Sequence, residues 1–377
     1  MQGPRHHIYL VPGFFGFADF GEFQYFAHVR RTLTRMLAAR GASAQLHEVR
    51  VLPTASLPRR AATLLETIHA TRSEGAHLHI IGHSTGGLDA RLLLAPGAAI
   101  PSDRATADVA AQVRSVVTVA TPHFGSPLAD VLNNVLGPQL LRVLSAATIH
   151  TIRLGSLPLP ILTRLTDALA PVSSVIGARG GLLEQLYRDV LQDFNGEQAR
   201  KIEEFFRNVS ADRSLLPQLG APAMELFNTR CTKRAGVRYG SVVLQGRPPS
   251  LSGVVQTGIG PFGQASYGLY RTVYSLTAQT SGPPPRLLPA QADALAGAFG
   301  AVPKYQANDA IVPTLSQVWE EVVAAAWADH LDVLGYFEGP QLIPPHNDWL
   351  RSLSGFDIDA FHGVWSRVVD FLLAAAP

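Results

Sequence analysis

Apolar and polar positions follow two rhythms along the first third of the chain. Ile8–Val11 is a short apolar run ending in Pro12-Gly13, which predicts a buried strand feeding a turn. From Phe26 to Ala39, Val29, Leu33, Met36 and Leu37 fall on one helical face while Arg30, Arg31 and Arg35 lie elsewhere; Gly41 suits the carboxyl cap. Gln45–Leu52 alternates as a strand does, and Arg59–Thr71 returns to helical spacing through Leu64, Leu65 and Ile68. Leu78–Ile81 predicts a strand, Thr85–Leu94 a helix, and Val113–Ala120 a strand of β-branched residues. Strands separated by helices of this length pair in parallel through right-handed crossovers. The pattern predicts an α/β fold with a mainly parallel central sheet flanked by helices.

The rhythm changes after Pro122. Residues from about Leu128 to Gln192 are apolar, sparsely charged and helix-prone, with no strand alternation, and Glu197–Val209 adds a helix with a charged face. Tyr239–Leu244 resumes strand character, Pro248–Pro285 reads as an irregular Gly/Pro-rich stretch, and Asp359–Ala375 is an amphipathic helix with Phe361, Val364, Trp365, Val368 and Leu372 inward. The expected organisation is a core in two parts, residues 1–127 and 237–377, interrupted by an inserted helical cap or lid over residues 128–236.

Composition narrows the class. The 377 residues are 47% hydrophobic and 16% charged, with a net charge of +2, which argues against disorder and gives no electrostatic footprint for nucleic acid. The single cysteine, Cys231, excludes an intrachain disulfide. No stretch reads as a transmembrane helix, and no long apolar segment precedes Ile8, so the reading expects no secretory leader and a cytoplasmic home.

Chemistry concentrates in Leu78-His-Ile-Ile-Gly82-His83-Ser84-Thr85-Gly86-Gly87, where an apolar strand runs through G-x-S-x-G directly into a helix. A sharp strand-to-helix turn needs small residues around a strained nucleophile, and Gly82 and Gly86 supply them. Ser84 is therefore the candidate nucleophile. The amide after it, on Thr85, is one candidate oxyanion donor, and the Phe14 amide in the turn after the first strand is the other. Acid and base should follow the serine in chain order. Of the thirteen histidines, His330, His346 and His362 lie late enough and outside the presumed cap. His330 sits in a loop after the apolar run Val322–Trp327, whereas His346 is in a rigid Pro-Pro turn and His362 inside the last helix. Asp309, expected in a loop after a strand, is the candidate acid that orients His330. Phe15, His83, His123 and Phe124 are candidates to line the substrate pocket.

Together Pro12-Gly13-Phe14, Gly82-His83-Ser84-Thr85-Gly86-Gly87, Thr121-Pro122-His123-Phe124-Gly125-Ser126, Asn308-Asp309 and Asp329-His330-Leu331-Asp332 resemble the α/β-hydrolase superfamily, specifically bacterial triacylglycerol-type lipases and esterases. The resemblance implies carboxylic ester hydrolysis through Ser84, His330 and Asp309, with a helical lid over an apolar acyl pocket and transient contact of that lid with a lipid interface. It also implies a structural calcium ligand at Asp332, but the ligand expected four residues later is Tyr336, so no cofactor is expected. An acyltransferase or polyester depolymerase would use the same machinery, and a non-catalytic binding module would keep the fold without it.

Overall fold

Six runs rich in apolar residues form strands: β1 (His6–Val11), β2 (Ala44–Glu48), β3 (His77–His83), β4 (Val113–Val119), β5 (Arg238–Gln245) and β6 (Glu321–Trp327). They make one sheet in the order β2-β1-β3-β4-β5-β6, and every neighbouring pair is parallel. The computed structural model describes residues 5–14, 25–133, 137–169, 176–192, 194–280, 283–339 and 346–375. Helices α1 (Ala27–Ala39), α2 (Leu57–Thr71), α3 (Gly86–Leu94) and α4 (Thr106–Gln112) connect the first four strands. Between β4 and β5 lie α5 (Pro127–Asn133), α6 (Gly137–Leu154), α7 (Leu159–Leu169), α8 (Ile176–Leu191), α9 (Gly196–Ala211) and α10 (Ala221–Arg230). Between β5 and β6 come α11 (Leu251–Gln256), α12 (Pro261–Thr277) and α13 (Pro289–Phe299), and α14 (Ile358–Ala374) follows β6. No helix among the described residues is long and apolar enough to cross a membrane.

Both sheet faces are covered, so strand residues are apolar on both sides. Ile8 and Leu10 join the core built with α1 and α14, while Tyr9 and Val11 join the core built with α2 and α3. The stretch 248–285, expected to be irregular, instead contains α11 and α12. Their glycines and small polar residues lower intrinsic helix propensity, yet α12 buries Tyr267, Leu269, Tyr270, Val273 and Tyr274 on one side. Tertiary burial outweighs the local preference, which is where most helical stability comes from. The loop bearing Asp309 does not follow a strand directly, as expected, but comes after α13. It is nevertheless held at the carboxyl end of β5, where Gly246 N donates to Asn308 O at 2.9 Å and Thr314 Oγ1 to Leu244 O at 3.0 Å.

Two buried polar groupings brace the first half of the sheet. The side chains of Arg60 on α2 and Asp89 on α3 are 0% exposed and meet in a forked pair, with Nη2 to Oδ2 at 2.7 Å and Nε to both oxygens at 3.0 Å. Arg60 Nη2 also donates to Pro12 O at 2.7 Å, so one guanidinium joins two helices and the turn after β1. Burial pushes the Asp89 carboxyl up to about 6 against the pull of that guanidinium. At the amino end of the sheet, His6 Nδ1 lies 3.0 Å from His79 Nε2, and His79 Nδ1 lies 2.8 Å from Ser115 Oγ. His77 approaches the His6 ring edge-on, and Arg114 adds positive charge. Burial first, then these cationic neighbours, lowers His79 to about 3; burial and His77 lower His6.

Arg60→Met should cost about 3–5 kcal/mol, because it strands a buried carboxylate, and adding Asp89→Leu should recover most of that loss. Chemical denaturation of both variants checks this; a near-wild-type single variant would refute it. His79 folds preferentially neutral, so its stabilisation is complete above its ordinary value of 6.5 and drains as pH falls from there toward about 3. Unfolding free energy should fall by up to about 1.4 kcal/mol per pH unit from this residue in that window. His79→Gln should flatten the slope; an equally steep variant curve would show that the acid sensitivity arises elsewhere.

Candidate active site

The junction between β3 and α3 carries Ser84 at φ 53°, a left-handed backbone position uncommon for a non-glycine residue. The turn is held by Ser84 N donating to Val119 O at 2.8 Å. A Cβ at Gly13 would collide with the Ser84 side chain, and one at Gly86 with the Val11 carbonyl, so the two turns touch backbone to backbone. Ser84 is thereby presented at the carboxyl edge of the sheet, at the amino end of α3, where unpaired amides favour negative charge.

His330 follows β6 and meets Asp309 across the same edge. His330 Nδ1 lies 2.8 Å from Asp309 Oδ2, with both side chains buried, and His330 N donates to Asp309 O at 2.9 Å. Asp309 Oδ1 accepts from the amides of Ile311 at 2.9 Å and Val312 at 2.7 Å, while Gln317 Nε2 donates to Oδ2 at 3.1 Å. The carboxylate can only accept, so Nδ1 carries the hydrogen and Nε2 presents its lone pair. That Nε2 is buried and has no hydrogen-bond partner among the described residues, Ser84 included. His362 instead contacts Arg35 on the surface, and His346 packs against Tyr336.

Phe14, Ser84 and Thr85 line one cavity together with Ser126, Leu128, Ile311 and Val312. Leu128 and Ile311 also border an adjoining cavity, whose wall is continued by Leu144, Thr148, Leu269, Val273, Leu331 and Trp349. The second cavity is apolar except for the Thr148 hydroxyl, which donates to Leu144 O. Of the residues expected to line the pocket, Phe15 lies outside the described residues, and His83, His123 and Phe124 line neither cavity. His123 turns away to Arg91 and Thr118 and stacks on Trp319, because the chain after β4 folds its ring under the sheet edge. Phe124 is 37% exposed. His83 is buried behind the nucleophile turn, bonded to Tyr25 and to the His330 main chain.

Two features here had no clear sequence signal. Gln317 supports the acid but belongs to no motif. Asp332 is not alone: carboxylate oxygens of Asp329, Asp332 and Asp348 lie within 4.8 Å of one another, all buried. Asp329 Oδ2 and Asp332 Oδ1 have no hydrogen-bond partner. Burial and neighbouring acidic groups push Asp329 and Asp332 far above the ordinary carboxylate range, and burial raises Asp348 to about 7. Adjacency to His330 was a signal for Asp329; nothing in the local sequence pointed to Asp348.

The sequence matches no protein-family model. It is 34% identical over 150 residues to a triacylglycerol lipase of Pseudomonas fragi, a match covering 39% of this chain and 45% of that relative. The chain thus spans under half the length of the curated relative it matches. Among solved structures it is similar to EstA from Clostridium botulinum, with 18% identity, a TM-score of 0.52, and 99% of this chain and 88% of that one covered. Staphylococcus hyicus lipase aligns with 17% identity and a TM-score of 0.48, covering 98% of this chain and 95% of that one. The similarity to EstA over nearly the whole chain, the parallel six-stranded sheet and the serine turn at its carboxyl edge identify the fold as that of the α/β-hydrolases.

Proposed function

We propose that this protein hydrolyses carboxylic esters, with Ser84 as nucleophile, His330 as base and Asp309 as the group that orients the imidazole. The observation that carries the reading is the buried His330–Asp309 pair with an unpartnered Nε2, at the sheet edge that presents a strained serine. In this scheme His330 Nε2 takes the Ser84 hydroxyl proton as Oγ attacks the ester carbonyl, then returns it to the leaving alcohol. The amides of Phe14 and Thr85 hold the oxyanion, and water attacking the acyl-serine by the same route completes the turnover. The partial match to a triacylglycerol lipase supports a lipid ester as substrate.

The adjoining apolar cavity supports an acyl-binding role. Its wall draws on α5 and α6, which follow β4, and on α12. We read the helices between β4 and β5 as the cap over the acyl chain, the part of the molecule that would meet a lipid surface.

The acidic cluster fits the calcium ion that the lipase resemblance implies. Three buried carboxylates supply hard oxygen donors, and two of their oxygens have no protein partner. Asp329, Asp332 and Asp348 would hold the ion, whose charge would tie the His330 loop to the segment around Trp349.

Ser84→Ala should lower kcat at least about a thousandfold with the fold intact, as measured on p-nitrophenyl esters. Retention of a tenth of the activity would remove Ser84 from its role. In wild type, kcat/KM should rise from acetate to medium or long acyl chains; a maximum at acetate would count against the acyl cavity. Chelation with EDTA should lower the thermal midpoint, and millimolar calcium should restore it by mass action, an effect Asp348→Asn weakens. A midpoint indifferent to both additions would reject the ion.

A further inference from the structure

His83, fixed between Gly82 and Ser84, does not face the cavity beside Ser84. Its Nε2 lies 3.1 Å from the carbonyl oxygen of His330, and its Nδ1 lies 2.7 Å from Tyr25 Oη. A carbonyl oxygen only accepts, so Nε2 carries the ring hydrogen and Nδ1 must accept from the Tyr25 hydroxyl. Hydrogen bonds therefore run in one direction, from Tyr25 to His83 and from His83 to the His330 main chain. Both side chains are buried, and Tyr336 Oη secures the Tyr25 carbonyl at 3.1 Å.

This line joins the segment that enters α1, the nucleophile turn and the base loop. Filling the same space needs no polar atoms; a phenylalanine and a leucine would do so without the desolvation cost of a hydroxyl and an imidazole. What the polar pair adds is direction, since each bond fixes one loop against the next.

We propose that Tyr25 and His83 are positioning residues, which hold the His330 main chain at a set distance from Ser84. Neither touches the reacting atoms. The inference rests on the assignment of Ser84 and His330 above. Burial, with the neighbouring His330 ring, keeps His83 neutral, as a single donor–acceptor arrangement requires.

Tyr25→Phe deletes one hydroxyl and keeps the ring, leaving His83 Nδ1 without that partner. Displacements of an ångström at a reacting centre cost on the order of a hundredfold. With active sites counted by phosphonate titration, kcat per labelled serine should fall roughly 10- to 100-fold while KM stays within about twofold. His83→Gln keeps an amide donor able to reach the His330 carbonyl and should retain more kcat than His83→Leu. The proposal is overturned if Tyr25→Phe matches wild type per labelled serine, if its loss lies wholly in KM or in the labelled fraction, or if the two His83 variants are equal. Ser84→Ala, assayed alongside, separates the two levels: activity in that variant refutes the nucleophile, whereas an inactive Ser84→Ala with an unaffected Tyr25→Phe refutes only the positioning role.

Discussion

The molecule depends on how closely two backbones approach at the end of β3. Ser84 stands at a positive φ with the turn after β1 packed against it so closely that any side chain at Gly13 would collide with that of Ser84. That contact sets the separation of β1, β3 and α3 at the sheet edge. The Arg60–Asp89 pair then clamps α2 and α3 behind it and takes the Pro12 carbonyl as a further acceptor. The strain at one residue is thus met by neighbours that give it no room to relax, the general condition under which such strain persists.

Much of this was legible because it is local. The strand–serine–helix run shows itself in a dozen consecutive residues, and the alternation of strands and helices before Pro122 carries the parallel sheet. His330 and Asp309 were legible as motifs, but Asp309 follows a helix and reaches the sheet through long-range bonds that no nearby residue announces. The helix α12 escaped notice because its glycines and hydroxylated residues argue against a helix until burial is counted. A Cβ at Gly268, for example, would meet the Thr166 side chain on α7 at van der Waals distance. Asp348 and Gln317 were invisible for a related reason: each acts on a partner brought near only by the completed fold.

The two ends of the sheet differ in polar character. At the carboxyl end the imidazole of His330 is held by a carboxylate that is itself fully hydrogen-bonded. At the amino end, His6 and His79 are bonded to each other and to a serine, with no acid among those partners, and burial favours their neutral forms. Similar side chains therefore keep different company at the two ends: a carboxylate at one, histidines and a serine at the other.

The strand order has a bearing on when the site is assembled. The serine turn is complete once β1, β3 and β4 have paired, all within the first third of the chain. The imidazole and its carboxylate are placed by β5 and β6, which are made last and added at the far edge of the sheet. As a ribosome extends the chain from its amino end, the serine turn emerges long before the residues that carry the imidazole and its carboxylate. The sheet edge that gathers all three side chains is thus complete only when the last strand is in place.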